Sequence, residues 1–218
     1  MQEPDLSGKQ NHYLTRLGIS AEVQALFYGT YKTDEESGDI YFEYSEGATE
    51  RYSLRFHRLP SVPAFWKAGI QEKKIITEVI IGSSALDIIV YFSKKLSTFS
   101  LSSNLLFLAS GARLYDFHLN LITTLGKKRI TLVFDDTFLG RISDIKIAAA
   151  ILNQPIHFEV VGEQVIIKFK DRKITFNAID VSLNTFQRAF KIRTSCLKTY
   201  KPKKLSFLQD QIDSVLSR

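Results

Sequence analysis

The chain has a single cysteine, Cys196, among its 218 residues. One thiol excludes an intrachain disulfide and a cysteine-based zinc cluster, and a reducing, cytoplasmic setting is the default expectation. Long apolar runs are also missing. None approaches the ~18–20 residues needed to cross a bilayer, so no membrane partner is expected. The opening stretch, MQEPDLSGKQNHY, is polar and has no hydrophobic segment, so no signal peptide is expected and residues 1–10 read as loosely held. No internal repeat or low-complexity segment is present. His12, His57, His118 and His157 are scattered and show no metal-ligand spacing. What remains is ordinary for a globular protein: 44% hydrophobic and 24% charged residues, enough chain for one large core or two small ones.

Charge is nearly balanced except in one place. The net charge is +6, and residues 186–204, FQRAFKIRTSCLKTYKPKK, hold Arg188, Lys191, Arg193, Lys198, Lys201, Lys203 and Lys204 with no Asp or Glu. Removing those seven from the 29 basic residues leaves 22 against 23 acidic ones. The protein is a near-neutral body with one basic strip. Lysines and arginines interleaved with Phe186, Phe190 and Tyr200 supply phosphate contacts and stacking surfaces for nucleic acid; the plainer reading is a solvated strip whose aromatics anchor it to the body. Cys196 lies within this strip with no histidine nearby in sequence, which favours a structural thiol over a nucleophile.

The hydrophobic rhythm changes along the chain. HYLTRLGISAEVQALF predicts a helix, a break at Gly18 and a second helix capped by Ser20, with Val23, Leu26 and Phe27 on its apolar face. DIYFEYSEGATERYSLRF predicts a hairpin: Ile40, Phe42 and Tyr44 alternate with polar residues, as do Tyr52, Leu54 and Phe56, around a turn at Ser45-Glu46-Gly47. Residues 59–69, with Phe65 and Trp66 placed to cover the core edge, read as a loop. IITEVIIG, NLLFLAS and RITLVFDD are continuous apolar runs of the kind that form strands buried on both faces. Between and after them, SALDIIVYFSKK, residues 112–125 (Leu114, Phe117, Leu121, Leu125) and ISDIKIAAAIL have helical spacing. That alternation predicts a parallel sheet with crossover helices. HFEVVGEQVIIKFKDRKITFNA predicts hairpins turning at Gly162-Glu163 and Asp171-Arg172. A closing helix has Ser206 as its cap and Leu208, Ile212, Val215 and Leu216 as its stripe. The expected segments are an N-terminal α+β piece (1–70), an α/β core (71–155) and a C-terminal β-rich piece with a basic tail and closing helix (156–218).

Ligands in parallel α/β sheets bind at the carboxyl ends of the strands. Two acidic spots fall there: Asp87, in GSSALD, and Asp135 and Asp136, in VFDDTFLGR, which also contains Arg141. Carboxylates at such a place can hold a hard cation, or they can cap the following helix. At these residues the sequence resembles Toprim domains, in particular the primase-like Toprim proteins of bacterial mobile elements. Ser83-Ser84-Ala85-Leu86-Asp87 matches their Glu-Ser-x-x-Asp motif, Leu108-Ala109-Ser110-Gly111-Ala112 a strand end between the motifs, and Asp135-Asp136-Thr137-Phe138-Leu139-Gly140-Arg141 the Asp-x-Asp motif with its following Gly-Arg. Arg16-Leu17-Gly18-Ile19 and the tail around 181–203 resemble flanking segments of the same proteins. The resemblance implies a Toprim-like, Rossmann-like core and a role in DNA replication or mobilisation of a mobile element.

The departures from that pattern matter as much as the matches. The general acid/base Glu of the family falls on Ser83, and the second Asp of Asp-x-Asp falls on Thr137. A hydroxyl is a weak ligand and no general base near neutral pH, so only Asp135 keeps its place as a metal ligand. The expectation is a degenerate site, with no cofactor unless the remaining acids hold Mg²⁺, and a protein that binds DNA through Arg188, Lys191, Arg193, Lys198, Lys201, Lys203 and Lys204 and has a possible replication or mobilisation protein as partner. Two rivals stand beside it: an active Mg²⁺-dependent primase- or nuclease-type enzyme that uses Glu78, Asp135 and Asp136, and a protein-interaction module.

Overall fold

The computed structural model describes residues 10–53, 55–99, 104–126 and 128–217. Two expectations fall outside them: the loosely held segment at 1–10, apart from Gln10, and the inward-facing Leu54.

The chain opens with α1 (His12–Arg16) and α2 (Ala21–Leu26). Both begin at a side chain that accepts an otherwise unpaired helical N–H: Asn11 from Leu14, and Ser20 from Val23. Gly18 links them at φ +71°, a conformation that favours glycine. Val23 and Phe27, four residues apart, share the buried face, whereas Leu26 is turned off it and is 54% exposed, contrary to expectation. A four-stranded antiparallel sheet follows, made of β1 (Lys32–Thr33), β2 (Ile40–Glu43), β3 (Thr49–Tyr52) and β4 (His57–Arg58), in that order. The β2–β3 hairpin turns over Ser45–Gly47 as the sequence predicts, and Ile40, Phe42, Tyr44 and Tyr52 are buried. Phe56 is exposed, because β4 pairs with β3 over only Arg51↔Arg58 and Tyr52↔His57 and leaves Phe56 in the turn before it.

The remaining elements are β5 (Trp66–Gly69), β6 (Glu78–Gly82), α3 (Ala85–Lys95), β7 (Leu105–Ala109), α4 (Asp116–Thr123), β8 (Arg129–Leu132), α5 (Phe138–Ile151), β9 (Ile156–Val161), β10 (Gln164–Phe169), β11 (Arg172–Asn177), α6 (Leu183–Phe190), β12 (Leu197–Thr199) and α7 (Phe207–Leu216). A five-stranded sheet of order β12-β8-β6-β7-β5 forms the centre. Its first four strands are parallel and β5 runs antiparallel to β7. The expected parallel core is present, but the sheet is mixed and extends beyond 71–155 on both sides. β5 lies in the stretch 59–69 that reads as a loop. β12 lies inside the basic strip.

Side chains alternate across this sheet. Ile80, Phe107 and Val133 pack against α3, together with Val23, Phe27, Phe207 and Leu208. Val79, Ile81, Leu106, Leu108, Ile130 and Leu132 pack on the opposite face against Ile122, Leu125 and Ile147. Both faces are covered, which is why the central strands read as unbroken apolar runs. In α4 the helical spacing misassigns one turn. Phe117 is exposed and His118 is fully buried, its Nδ1 accepting from the Tyr115 N–H at 2.8 Å and its Nε2 2.9 Å from the Ala64 carbonyl. Burial lowers the His118 pKa, consistent with a neutral core ring.

The other side of α5 carries a third cluster. Ile145, Ala148 and Ala149 meet Val165, Ile167 and Phe169 of β10 and Phe186 and Phe190 of α6. The β9–β10 turn is Gly162-Glu163 as expected. The next turn is Lys170-Asp171, one residue earlier than the sequence suggests, because Arg172 already pairs with Phe169. Lys170 takes the left-handed conformation there, at φ +54°. Ser206 caps α7 as expected, and Leu208 and Ile212 of its stripe pack inward, but Leu216, near the end of the helix, is 81% exposed. Among the described residues no helix is long and apolar enough to cross a membrane.

Candidate functional site

The carboxyl ends of β6, β7 and β8 are held level by main-chain bonds: Ser110 N–H to the Gly82 carbonyl (3.0 Å), Gly111 N–H to Ser83 (2.9 Å) and Val133 N–H to Ile81 (2.7 Å). The turns beyond them enclose a cavity of about 170 Å³ lined by Ser83, Ser110, Gly111, Asp135, Thr137 and Gly140, among others. Residues from each of the three motifs therefore meet at this cavity, whereas Asp87, Asp136 and Arg141 do not line it. Ser84 caps α3 by accepting from the Asp87 N–H, and Thr137 caps α5 by accepting from the Gly140 N–H. Gly140 is required by close approach: a Cβ there would meet the Asp135 carbonyl at 2.1 Å.

Asp135 and Ser83 face this cavity without being satisfied by it. Asp135 Oδ1 and Ser83 Oγ are buried atoms with no hydrogen-bond partner among the described residues. Burial raises the Asp135 pKa against the opposing pull of Lys201 and His57. Asp136 is half exposed and lies 3.6 Å from Arg141 Nε, while Arg141 also donates to the Ile179 carbonyl at 2.8 Å. Asp87 is fully buried and accepts the Leu208 N–H at 2.7 Å, tying the first turn of α7 to α3. Burial, with Asp135 adding to it, pushes the Asp87 carboxyl up to about 7.

Glu78 does not join this group. It opens β6 opposite Arg129, the first residue of β8. Asp135 lies beyond the other end of that strand, six residues on, which is roughly 20 Å at ~3.3 Å per extended residue. Glu78 instead accepts from Thr131 Oγ1 at 2.9 Å and lies 3.8 Å from Arg129. The geometry does not support an enzyme combining Glu78, Asp135 and Asp136.

A carboxylate does reach the α3 end of the cleft, from a residue that no sequence motif marks. Glu50 of β3 is 0% exposed. It accepts from Tyr44 Oη (2.7 Å), Ser84 Oγ (2.7 Å) and the N–H groups of Ala85 (2.8 Å) and Leu86 (3.3 Å), and it pairs with His57 Nε2 at 2.8 Å. The positive end of α3 and the His57 ring both face this buried carboxyl group. Burial alone would lower the His57 pKa, but the Glu50 hydrogen bond and charge outweigh it and raise it. Every strong donor around Glu50 is thus committed to structure. The sequence did hold a signal: Glu50 has the same strand parity as the inward-facing Tyr52.

These groups set a pH dependence. An unfolded carboxyl titrates near ~4. Folded, Asp87 and Asp144 hold their protons up to about 7 and about 6, with burial the main cause in each. Between ~4 and those values only the folded state is protonated, so stability falls as pH rises. His57, raised above its ordinary value, adds stability that is full below ~6.5 and is lost as pH rises through its folded pKa. All three act in one direction. The melting temperature is expected to be highest near pH ~5 and to decline toward pH ~8, with Asp87→Asn flattening the decline; a melting temperature that climbs over that range would contradict the assignment.

The fold family suggested by the motifs implies Mg²⁺ here. The side chains do not fit it. Among the described residues no three His, Cys, Asp or Glu side chains gather as a metal-holding group, and the oxygens at the end of β8 already meet the Lys201 ammonium.

The basic strip runs from the end of α6, past the β12 sheet edge, to the start of α7. Arg188, Lys191, Arg193, Lys198, Lys203 and Lys204 are exposed along it. Lys201 departs from the expected set: its ammonium turns inward to Asp144 at 2.8 Å and its side chain is only 24% exposed. Phe186 and Phe190 are core residues, so among the three aromatics only Tyr200 is exposed, at 40%, and its ring already meets the Lys95 ammonium at 4.6 Å and stacks on Phe207 with centroids 6.1 Å apart. Beside it lies a groove of about 640 Å³ lined by Lys94, Lys203, Lys204, Tyr200 and Phe207, with Asp210 accepting the main-chain N–H groups of Lys203 and Lys204. Cys196 is a free, partly buried thiol.

No family model matches the chain, and no curated protein matches it in sequence. Among solved structures, the primase fragment of the bacteriophage T7 primase-helicase protein is similar, with a TM-score of 0.50 and 10% identity over 94% of this chain and 72% of that one. At that identity the likeness concerns the fold, which is primase-like.

Proposed function

We propose that this chain is a Toprim-like protein that binds DNA through its basic face and performs no phosphoryl transfer, acting in the cytoplasm in the replication or mobilisation of a mobile element. The observation that carries this reading is the separation of its two charged features. At the strand ends Ser83 and Thr137 stand where the resembled motifs carry Glu and Asp, while Arg188, Lys191, Arg193, Lys198, Lys203 and Lys204 are exposed along the strip from α6 to α7. The ordered motifs and the primase-like fold support the Toprim assignment. The T7 neighbour's own description, a primase joined to a helicase, supports a place in replication, where a protein partner is also expected.

Nothing on the basic face resembles a base-reading device, so binding is expected to be electrostatic. Fluorescence anisotropy with labelled single-stranded and duplex oligonucleotides tests this. Binding at ~50 mM salt should weaken linearly in log–log form, by about 0.7 per neutralised phosphate for single strands and about 0.9 for duplex. No binding to either at ~50 mM salt overturns the proposal and leaves an acidic protein as the partner of this face.

A further inference from the structure

The Lys201 ammonium meets only oxygen: Asp144 Oδ2 at 2.8 Å, the Phe134 carbonyl at 3.1 Å and the Asp135 carbonyl at 3.2 Å. An ammonium has three N–H donors and no acceptor, so this seat uses its full capacity. The register of the sheet puts it there. β12 runs parallel to β8 with Thr199 level with Leu132, and the Tyr200 N–H continues the ladder to the Leu132 carbonyl at 2.8 Å. The next residue therefore arrives where β8 ends and its last carbonyls turn outward. Asp144 reaches the same point from the second turn of α5. It is 1% exposed, and its other oxygen, Oδ1, is buried with no hydrogen-bond partner among the described residues.

A buried carboxylate with a spare oxygen, two main-chain carbonyls and the neighbouring Asp135 carboxylate are all hard oxygen donors, the set that oxygen-loving divalent cations use. Left without a positive charge, this arrangement would bury an uncompensated carboxylate.

We propose that Lys201 is a tethered counter-cation: its ammonium fills an oxygen-lined cation seat between β8 and α5 that would otherwise take a divalent metal ion from solution. The seat is closed by a residue 66 positions downstream of Asp135. It makes the cleft self-sufficient in charge, and it removes Lys201 from the set of cations free to meet phosphate. The inference extends the metal-free part of the proposed function, but its test reads metal rather than DNA, so the two can fail separately.

The experiment compares the full chain with Lys201→Met, which keeps the apolar stem and deletes the charge, and with the pair Lys201→Met/Asp144→Asn. Each is melted with EDTA and with increasing Mn²⁺, and free Mn²⁺ is counted by electron paramagnetic resonance. Lys201→Met should lose melting temperature in EDTA and regain roughly 3–6 °C for each tenfold excess of Mn²⁺ over its dissociation constant, taking up about one ion per chain. The parent chain and the double variant should show neither the rise nor the uptake. Mn²⁺ uptake by the parent that disappears in Asp144→Asn overturns the proposal. So does a Lys201→Met protein, folded or unfolded, that gains nothing from Mn²⁺; Lys201 would then be an ordinary structural ion pair.

Discussion

Replacing Glu50 by alanine is expected to remove about 3–5 kcal/mol of stability, or roughly 6–20 °C of melting temperature for a chain of this length. The size follows from what the carboxylate leaves behind. Ser84 Oγ and the first two N–H groups of α3 would be buried without an acceptor, each at a cost of about 1–3 kcal/mol if nothing replaces the bond, and Tyr44 Oη would keep only its longer bond to the Ser83 carbonyl. His57 Nε2 would lose its hydrogen-bond partner. Glu50 is also the joint between the N-terminal sheet and the central one, so its loss loosens two units together. Thermal and urea unfolding measure the effect. Glu43→Ala is the control: its pair with Lys32 is exposed on both sides, and removing it should cost less than about 1 kcal/mol. An alanine at position 50 that melts within about 2 °C of the parent would mean that water fills the site at little cost.

The largest functional effect is expected on the opposite side of the chemistry. Reversing four exposed charges, Arg188→Glu, Arg193→Glu, Lys198→Glu and Lys203→Glu, should reduce DNA affinity on the order of 100-fold at ~100 mM salt. The salt dependence should flatten by about 0.7–0.9 for each phosphate that is no longer neutralised. None of the four side chains makes a hydrogen bond or ion pair with a described residue, so the melting temperature should change little. Affinity that survives the reversal with an unchanged salt slope would move the interface elsewhere. Lys201 is left out of this set because its charge is already spent on Asp144.

The centre of the fold was legible because its strands and helices carry strong periodicity. IITEVIIG, NLLFLAS and RITLVFDD became β6, β7 and β8, and helices stand between and after them as the spacing predicts, although α5 begins earlier, at Phe138, and α4 buries His118 rather than Phe117. The two outer strands were hidden for a physical reason. β5 is four residues long and follows two prolines, so the burial of Trp66 and Ala68 leaves too short an alternation to read as a strand, and β12 is three residues long in a run of lysines with the composition of a surface. The motif residues at the strand ends converge as their order suggests, and Glu78 was excluded by register, which no local pattern reports. For Glu50, strand parity with Tyr52 marks the inward face but not what the carboxyl group meets there, and Lys201 escapes a reading by pattern because charged residues are normally solvated. Only the tertiary arrangement shows that one caps a helix from another sheet and that the other closes a seat sixty-six residues back along the chain.

The position of β12 has a consequence for how the protein is made. A growing chain completes β8 well before β12, and at about 5–20 residues per second that interval lasts several seconds. Throughout it one side of β8 has no neighbour, and a bare apolar strand edge invites pairing with another nascent copy. Lys198, at the middle of β12, then becomes a guard on the finished edge: an exposed lysine there discourages a further strand from adding on. The charge proposed to meet DNA thereby also keeps the sheet from growing.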